Sequence, residues 1–92
     1  MDRQALFCQN VVFLWRRKGR KVNELERTIN ASQGYLSRVV NGDGNITLER
    51  ALILADLVGQ TVDDLCNRDF EREIRIDELR RELERWEKEA SE

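Results

Sequence analysis

Five cations fall within six residues: Arg16, Arg17, Lys18, Arg20 and Lys21. One or two positive charges suffice to complement the C-terminal dipole of a helix. The surplus suits neutralisation of phosphates. A second polar group follows at Gln33, Ser37 and Arg38. Its planar amide and guanidinium make paired, directional hydrogen bonds. This is the chemistry of holding a partner, not of breaking bonds. The chain has no histidine, and Cys8 and Cys66 stand 58 residues apart. Two thiols without imidazoles make a poor metal site, so no metal and no cofactor is expected. Both cysteines read as reduced, packed as small hydrophobes. Ser32, Ser37 and Ser91 have no neighbouring base, and no glycine loop or carboxylate pair suggests catalysis. The chain reads as a non-enzyme.

The elements that must position these groups are helices. There is no proline, and strand-like alternation is absent. The segment VNELERTINASQGYLSRVVNG, from Val22 to Gly42, organises the chain. Its apolar residues Leu25, Ile29, Leu36 and Val39 are spaced by 4, 7 and 3. That spacing predicts two short helices, about 22–28 and 33–41, packed steeply over one interior. Asn30 tolerates left-handed backbone at the break. Ser32 reads as a cap for the second helix, and Asn41-Gly42 as its end. This is a helix-turn-helix expected to bind DNA. In it, Gln33 can pair with adenine, and Arg38 can read guanine or clamp a phosphate. The amides opening the second helix also favour a phosphate.

Supporting helices fit around this pair. The first is expected over about 3–18, with Leu6, Phe7, Val11 and Leu14 on one face, Val12 and Trp15 widening it, and Gly19 stopping it. Lys21 is a poor cap, and Asn23-x-x-Glu26 fits a capping box two residues on, so helix 2, about 22–28, is expected to start late or fray at its first turn. Thr47 opens a fourth helix to about Val58, burying Leu48, Ala51, Leu52, Ala55 and Val58; Gly59 ends it. Thr61-x-x-Asp64 opens a fifth, to about Asn67, with Val62, Leu65 and Cys66 inward.

From Asp69 the composition changes to a charge-dense helix former. Ile76, Leu79, Leu83, Trp86 and Ala90 step by 3, 4, 3 and 4, a heptad seam. Asp77–Arg81 and Glu84–Lys88 are favourable pairs one turn apart. So narrow a stripe needs cover, by folding back or, as favoured here, by a second copy. In a parallel pair Arg75 meets Arg80 and Glu82 meets Glu87, both repulsive. Antiparallel pairing, or docking on the partner's body, is therefore the expectation. The domains read as 1–67, a helix-turn-helix DNA-binding unit, and 69–92, a dimerisation helix.

Charge follows this division. Residues 1–45 hold eight Lys and Arg against four acids, a net +4; residues 46–92 hold eight against fourteen, a net −6. The overall −2 therefore hides a basic half containing the helix-turn-helix. No apolar run approaches a membrane span, and the N-terminus does not read as a signal peptide. A cytoplasmic setting is expected.

Residues 6–66 resemble the Cro/λ-repressor-like, or XRE, helix-turn-helix family. The resemblance rests on Leu25, the break at Asn30, Ser32, the run Tyr35-Leu36-Ser37-Arg38, Asn41-Gly42, and TLERALILADLVGQTVDDL from Thr47 to Leu65. It implies an all-α, five-helix domain, here with a C-terminal amphipathic helix. It also implies a phage or bacterial transcriptional regulator, repressor-like, binding double-stranded DNA as a homodimer with helix 3 in the major groove. By position, Gln33, Gly34, Ser37 and Arg38 would face base edges or nearby backbone. Lys21 and Asn41 would sit against phosphates. Tyr35 would pack on the sugar-phosphate backbone or stay partly buried. Ile76, Leu79, Leu83 and Trp86 carry the expected dimer seam. Three departures stand out. Val22 replaces a DNA-touching glutamine. Glu26 replaces a small residue and is expected to point outward or find Arg27 or Arg38. Trp15 and Val40 replace an arginine–glutamate pair, an exchange of ions for packed hydrophobes. An alternative reading is a protein-interaction module on the same fold: an antitoxin, an antirepressor or a regulator's partner.

Overall fold

Short polar side chains open most of the helices, as side-chain oxygens take up amides that the first turn leaves unpaired. The computed structural model of the chain describes residues 2–91. Among these are six helices and no strand: α1 (Arg3–Arg17), α2 (Val22–Thr28), α3 (Tyr35–Val40), α4 (Leu48–Val58), α5 (Val62–Asn67) and α6 (Phe70–Ala90). Asp2 accepts from the Ala5 amide at 2.8 Å, and Thr47 from Arg50 at 3.2 Å. Thr61 accepts from Asp64 at 3.0 Å, and Asp69 from Arg72 at 3.1 Å.

Helix α2 spans the expected range, Val22–Thr28, and its start is not late. It begins at Val22 although Lys21 has no side-chain oxygen to offer. Glu24 instead reaches back to the Lys21 amide at 3.2 Å, and the Trp15 indole donates to the Lys21 carbonyl at 2.8 Å. The Lys21 amide, then the Arg20 guanidinium, hold the Glu24 carboxyl below its ordinary pKa. Helix α3 is shorter than expected. Gly34 has φ +84°, which no helical turn can include, so Gln33 and Gly34 precede the helix. Ser32 is not its side-chain cap: the Ser32 hydroxyl accepts from Arg38 at 2.7 Å.

The core draws on all six helices: Phe7, Val11 and Trp15; Leu25; Leu36 and Val39; Ala51, Leu54, Ala55 and Val58; Leu65; and Phe70. Ile29, which caps the C-terminus of α2, joins them. The buried face of α4 is rotated from expectation. Leu54 is fully buried, whereas Leu48 and Leu52 are exposed. Leu65 is buried as expected of α5, with Val62 and Cys66 half-buried. Both cysteines are free. Burial, with Cys66 and Asp2 nearby, pushes the Cys8 thiol up to about 12.

Asn10 ties the last helix to the first. It is fully buried in α1. Its amide donates to the carbonyls of Leu65 at 2.8 Å and Arg68 at 2.6 Å, while its oxygen accepts from the Phe70 amide at 3.1 Å. The α5–α6 junction is thereby clasped, and the first turn of α6 is core. From Phe70, α6 runs in the same sense as α1: seven residues beyond Asn10, Arg17 pairs with Glu78 at 3.0 Å. There α1 ends. The last three turns of α6 project about 18 Å further, which makes the molecule 55 × 25 × 21 Å. Ile76, Leu79, Leu83 and Trp86 are between 41% and 66% exposed. The stripe thus does not fold back on its own body. Asp77 and Arg81 pair at 2.8 Å, and Glu71 and Arg75 at 2.7 Å. No helix among the described residues is long and apolar enough to cross a membrane.

Candidate nucleic-acid interface

The turn between α2 and α3 is set by residues from three elements. Asn30 takes φ +59°, as the break requires. Arg50, from α4, donates to the carbonyls of Ile29 and Asn30, each at 3.2 Å, and its guanidinium lies 4.7 Å from the centre of the Tyr35 ring. Those carbonyls end α2 and would otherwise lack partners. Arg50 therefore fastens the turn to the bundle.

Glu26 fastens the other side, and here the expectation is corrected. Its side chain does not point outward, and it pairs with neither Arg27 nor Arg38. It is only 4% exposed, and its two carboxylate oxygens accept from the amides of Gly34 and Leu36, each at 3.1 Å. A carboxylate at a helix start also gains from the positive end of the backbone dipole. The Tyr35 amide donates to the Ser32 carbonyl at 3.1 Å. The amides of Gly34, Tyr35 and Leu36 are thus all engaged internally. An anion from outside meets occupied donors and a fixed negative charge, so the expected phosphate site at the start of α3 is closed.

A groove of about 590 Å³ lies beside this turn. Helix α1 contributes Val12, Phe13 and Arg16 to it; the α2 start contributes Lys21, Val22 and Asn23; Gln33, Gly34, Ser37 and Val40 form the α3 side. Of the sequence-derived candidates, the structure brings together Lys21, Gln33, Gly34 and Ser37. The others lie outside this lining. Tyr35 is half-buried, and its hydroxyl donates to the Asn45 carbonyl at 2.6 Å. Arg38 folds back, donating to Ser32 Oγ at 2.7 Å and to the Gln33 carbonyl at 3.4 Å. A Cβ on Gly34 would approach Arg38 Nη1 to 3.3 Å, a contact the end of that exposed side chain can relieve, so the positive φ is the reason for glycine there. Asn41 is exposed and caps the C-terminus of α3.

The cationic run separates into two sets. Arg17 is held by Glu78, and Lys18 Nζ donates to the Leu57 carbonyl at 3.3 Å. Arg20 pairs with Glu24 at 3.0 Å, with its guanidinium 4.6 Å from the Trp15 ring centre. Arg16 and Lys21 carry no ion pair among the described residues, and both line the groove. Trp15 is buried, and Val40 forms part of the groove wall.

Sequence reasoning missed Asn10, Glu26 and Arg50 as organisers of this region and Asn23 as part of the groove lining, and it named Arg16 only as one of five cations. Only Glu26 carried a signal, as a charge where a small residue was expected. The arrangement offers two cations without ion pairs among the described residues, flat amides at Gln33 and Asn23, and an apolar floor, with Glu26 engaged by backbone amides and Glu71 at the edge. It suits a polyanion that also presents hydrogen-bonding edges. No group of three or more potential metal ligands occurs among the described residues. Compared with family models, curated proteins and solved structures, the chain matches none.

Proposed function

We propose that the chain is a sequence-specific DNA-binding transcriptional regulator of the cytoplasm, built on the five-helix λ-repressor-like plan. Residues from Gln33 through α3 read the major groove, and α6 joins two copies. The observation that carries this reading is the convergence of Arg16, Lys21, Gln33 and Ser37 on one groove beside α3. Phosphate neutralisation supplies most of the affinity. Gln33 supplies discrimination, with its backbone held by Arg38. The closed amides at the start of α3 shift phosphate contact to the side chains of Arg16 and Lys21.

Gel-shift assays on a selected duplex test the reader. Gln33→Ala and Arg38→Ala each weaken binding by about 10- to 100-fold, the value of a good base contact or its support. Unaltered binding in both removes this surface as the reader. Salt dependence tests the cations. Arg16→Ala and Lys21→Ala each flatten the slope of log affinity against log salt by about one. Lys18→Ala leaves it within error, because that charge is turned toward Leu57. Equal effects from all three would remove the division of the cationic run.

The exposed α6 stripe and the exposed Leu48 and Leu52 favour a second reading, a protein-interaction module. A stoichiometric co-purifying partner, with no salt-sensitive retention on DNA, would select it.

A further inference from the structure

The apolar stripe of α6 is symmetric in its spacing. Ile76, Leu79, Leu83 and Trp86 step by 3, 4 and 3, so the pattern reads the same in either direction. An antiparallel second copy can therefore place Trp86 on Ile76 and Leu83 on Leu79, leaving none of the four uncovered. A parallel copy in register covers them equally well. Two further observations separate the arrangements.

The first is the seat beside Ile76. A trough of about 320 Å³ lies there, lined by Gln9 of α1, by Asp69, which caps α6, and by Glu71, Arg72, Arg75 and Ile76 of α6. Gln9 belongs to the bundle, so the bundle flanks this end of the stripe. In a parallel pair the occupant is Ile76 of the second copy, which brings a second bundle to the same end. In an antiparallel pair the occupant is Trp86, on a bare helix end that projects beyond everything else in the molecule.

The second is charge. A parallel pair sets Arg75 against Arg80 and Glu82 against Glu87 on both flanks, all like-charged. The antiparallel register sets Arg75 of each copy near Glu89 of the other. Glu73 approaches Glu87, but Arg68 already holds Glu73 at 3.1 and 3.2 Å. Like charges then face each other unrelieved only near the twofold axis, at Arg80 and Glu82.

We infer that α6 pairs antiparallel with a second copy of this chain, with Trp86 of each copy seated in the trough between Gln9, Arg72 and Ile76 of the other. This rests on the reading of α6 as the joint between two copies, and it specifies direction and register. Gln9 and Glu71 line both this trough and the groove beside α3. The tail of one copy therefore ends next to the interface of the other.

Disulfide trapping on the full chain tests the inference. Leu79→Cys, carrying an affinity tag, is mixed with untagged Leu83→Cys, equilibrated and oxidised. The mixed pair is expected to cross-link roughly tenfold more than either variant with itself, because like positions lie four residues off level and beyond disulfide reach. Arg75→Cys with Glu89→Cys repeats the test without touching the apolar stripe. Dominant Leu79–Leu79 and Leu83–Leu83 products would establish parallel pairing and overturn the inference. Absent cross-links, with unmodified protein sedimenting as a dimer, would place the joint elsewhere; the inference fails and the dimeric regulator stands. A monomer at every concentration would overturn both the inference and the joint, while the gel-shift assays judge DNA binding separately.

Discussion

Replacing Asn10 with alanine is expected to cost about 3 kcal/mol of folding stability, read as a lowered urea midpoint by circular dichroism. Three hydrogen bonds, two buried and one part-buried, disappear together. Two carbonyls lose their donor, and the Phe70 amide loses its acceptor. Each buried polar group left without a partner costs about 1–3 kcal/mol, less whatever water can recover at the opened site. A domain of this size has only about 5–15 kcal/mol in all, so the melting temperature should fall by about 15 °C. Asn10→Asp separates hydrogen bonding from packing. It keeps the shape and the acceptor for Phe70, but sets a second oxygen against two carbonyls. It should be at least as damaging as alanine. A loss below about 1 kcal/mol in both variants would remove Asn10 as the clasp.

Glu26→Ala is expected to cost about 2–4 kcal/mol of stability and to weaken specific DNA binding by about 10- to 100-fold at moderate salt. The amides of Gly34 and Leu36 lose a charged acceptor, and hydrogen bonds to charged groups are the stronger kind. Two effects on DNA affinity oppose each other. Removing a negative charge beside the interface helps any polyanion, by tenths of a kcal/mol through a screened medium. Loosening the start of α3 misplaces Gln33 and costs a base contact of about 1–3 kcal/mol. The second wins. Glu26→Gln keeps the length and one acceptor but turns an N–H toward a backbone N–H. It should fall midway in thermal stability. Calorimetry alongside gel shifts checks both variants. Full retention of site-specific binding in Glu26→Ala would show that α3 does not need this support.

The parts of the fold that were legible in the sequence were those with a local cause. Thr47 and Thr61 cap within three residues, Asn30 bears its positive φ alone, and a heptad is a one-dimensional pattern. The rotation of α4 was not legible. LERALILADLV is apolar almost all round, so two stripes can be drawn, and the bundle decides that Leu54 goes in and Leu48 out. The end of the Gln33–Gly34 turn was hidden because a glycine can either begin a helix or precede it. What Asn10, Glu26 and Arg50 hold was beyond reach for one shared reason. Each bonds to backbone far along the chain, and a backbone carbonyl or amide has no letter of its own. Within the candidate interface, Lys21 and Gln33 could be read from residue type. Which cations are spent on internal partners depended on where Glu78 and the Leu57 carbonyl come to lie.

Only Arg68 and Asp69 separate α5 from α6, and Asn10 grips the chain on both sides of them. The outer turns of α6 therefore have no hinge. They inherit their heading from α1, as a spoke inherits the angle of its hub. One residue added beyond Glu78 would lengthen the rod by about 1.5 Å and swing its apolar edge by about 100°. Changes in length and changes in bearing are thus inseparable in this part of the chain, and the stripe can drift in sequence only by steps that return it to the same azimuth.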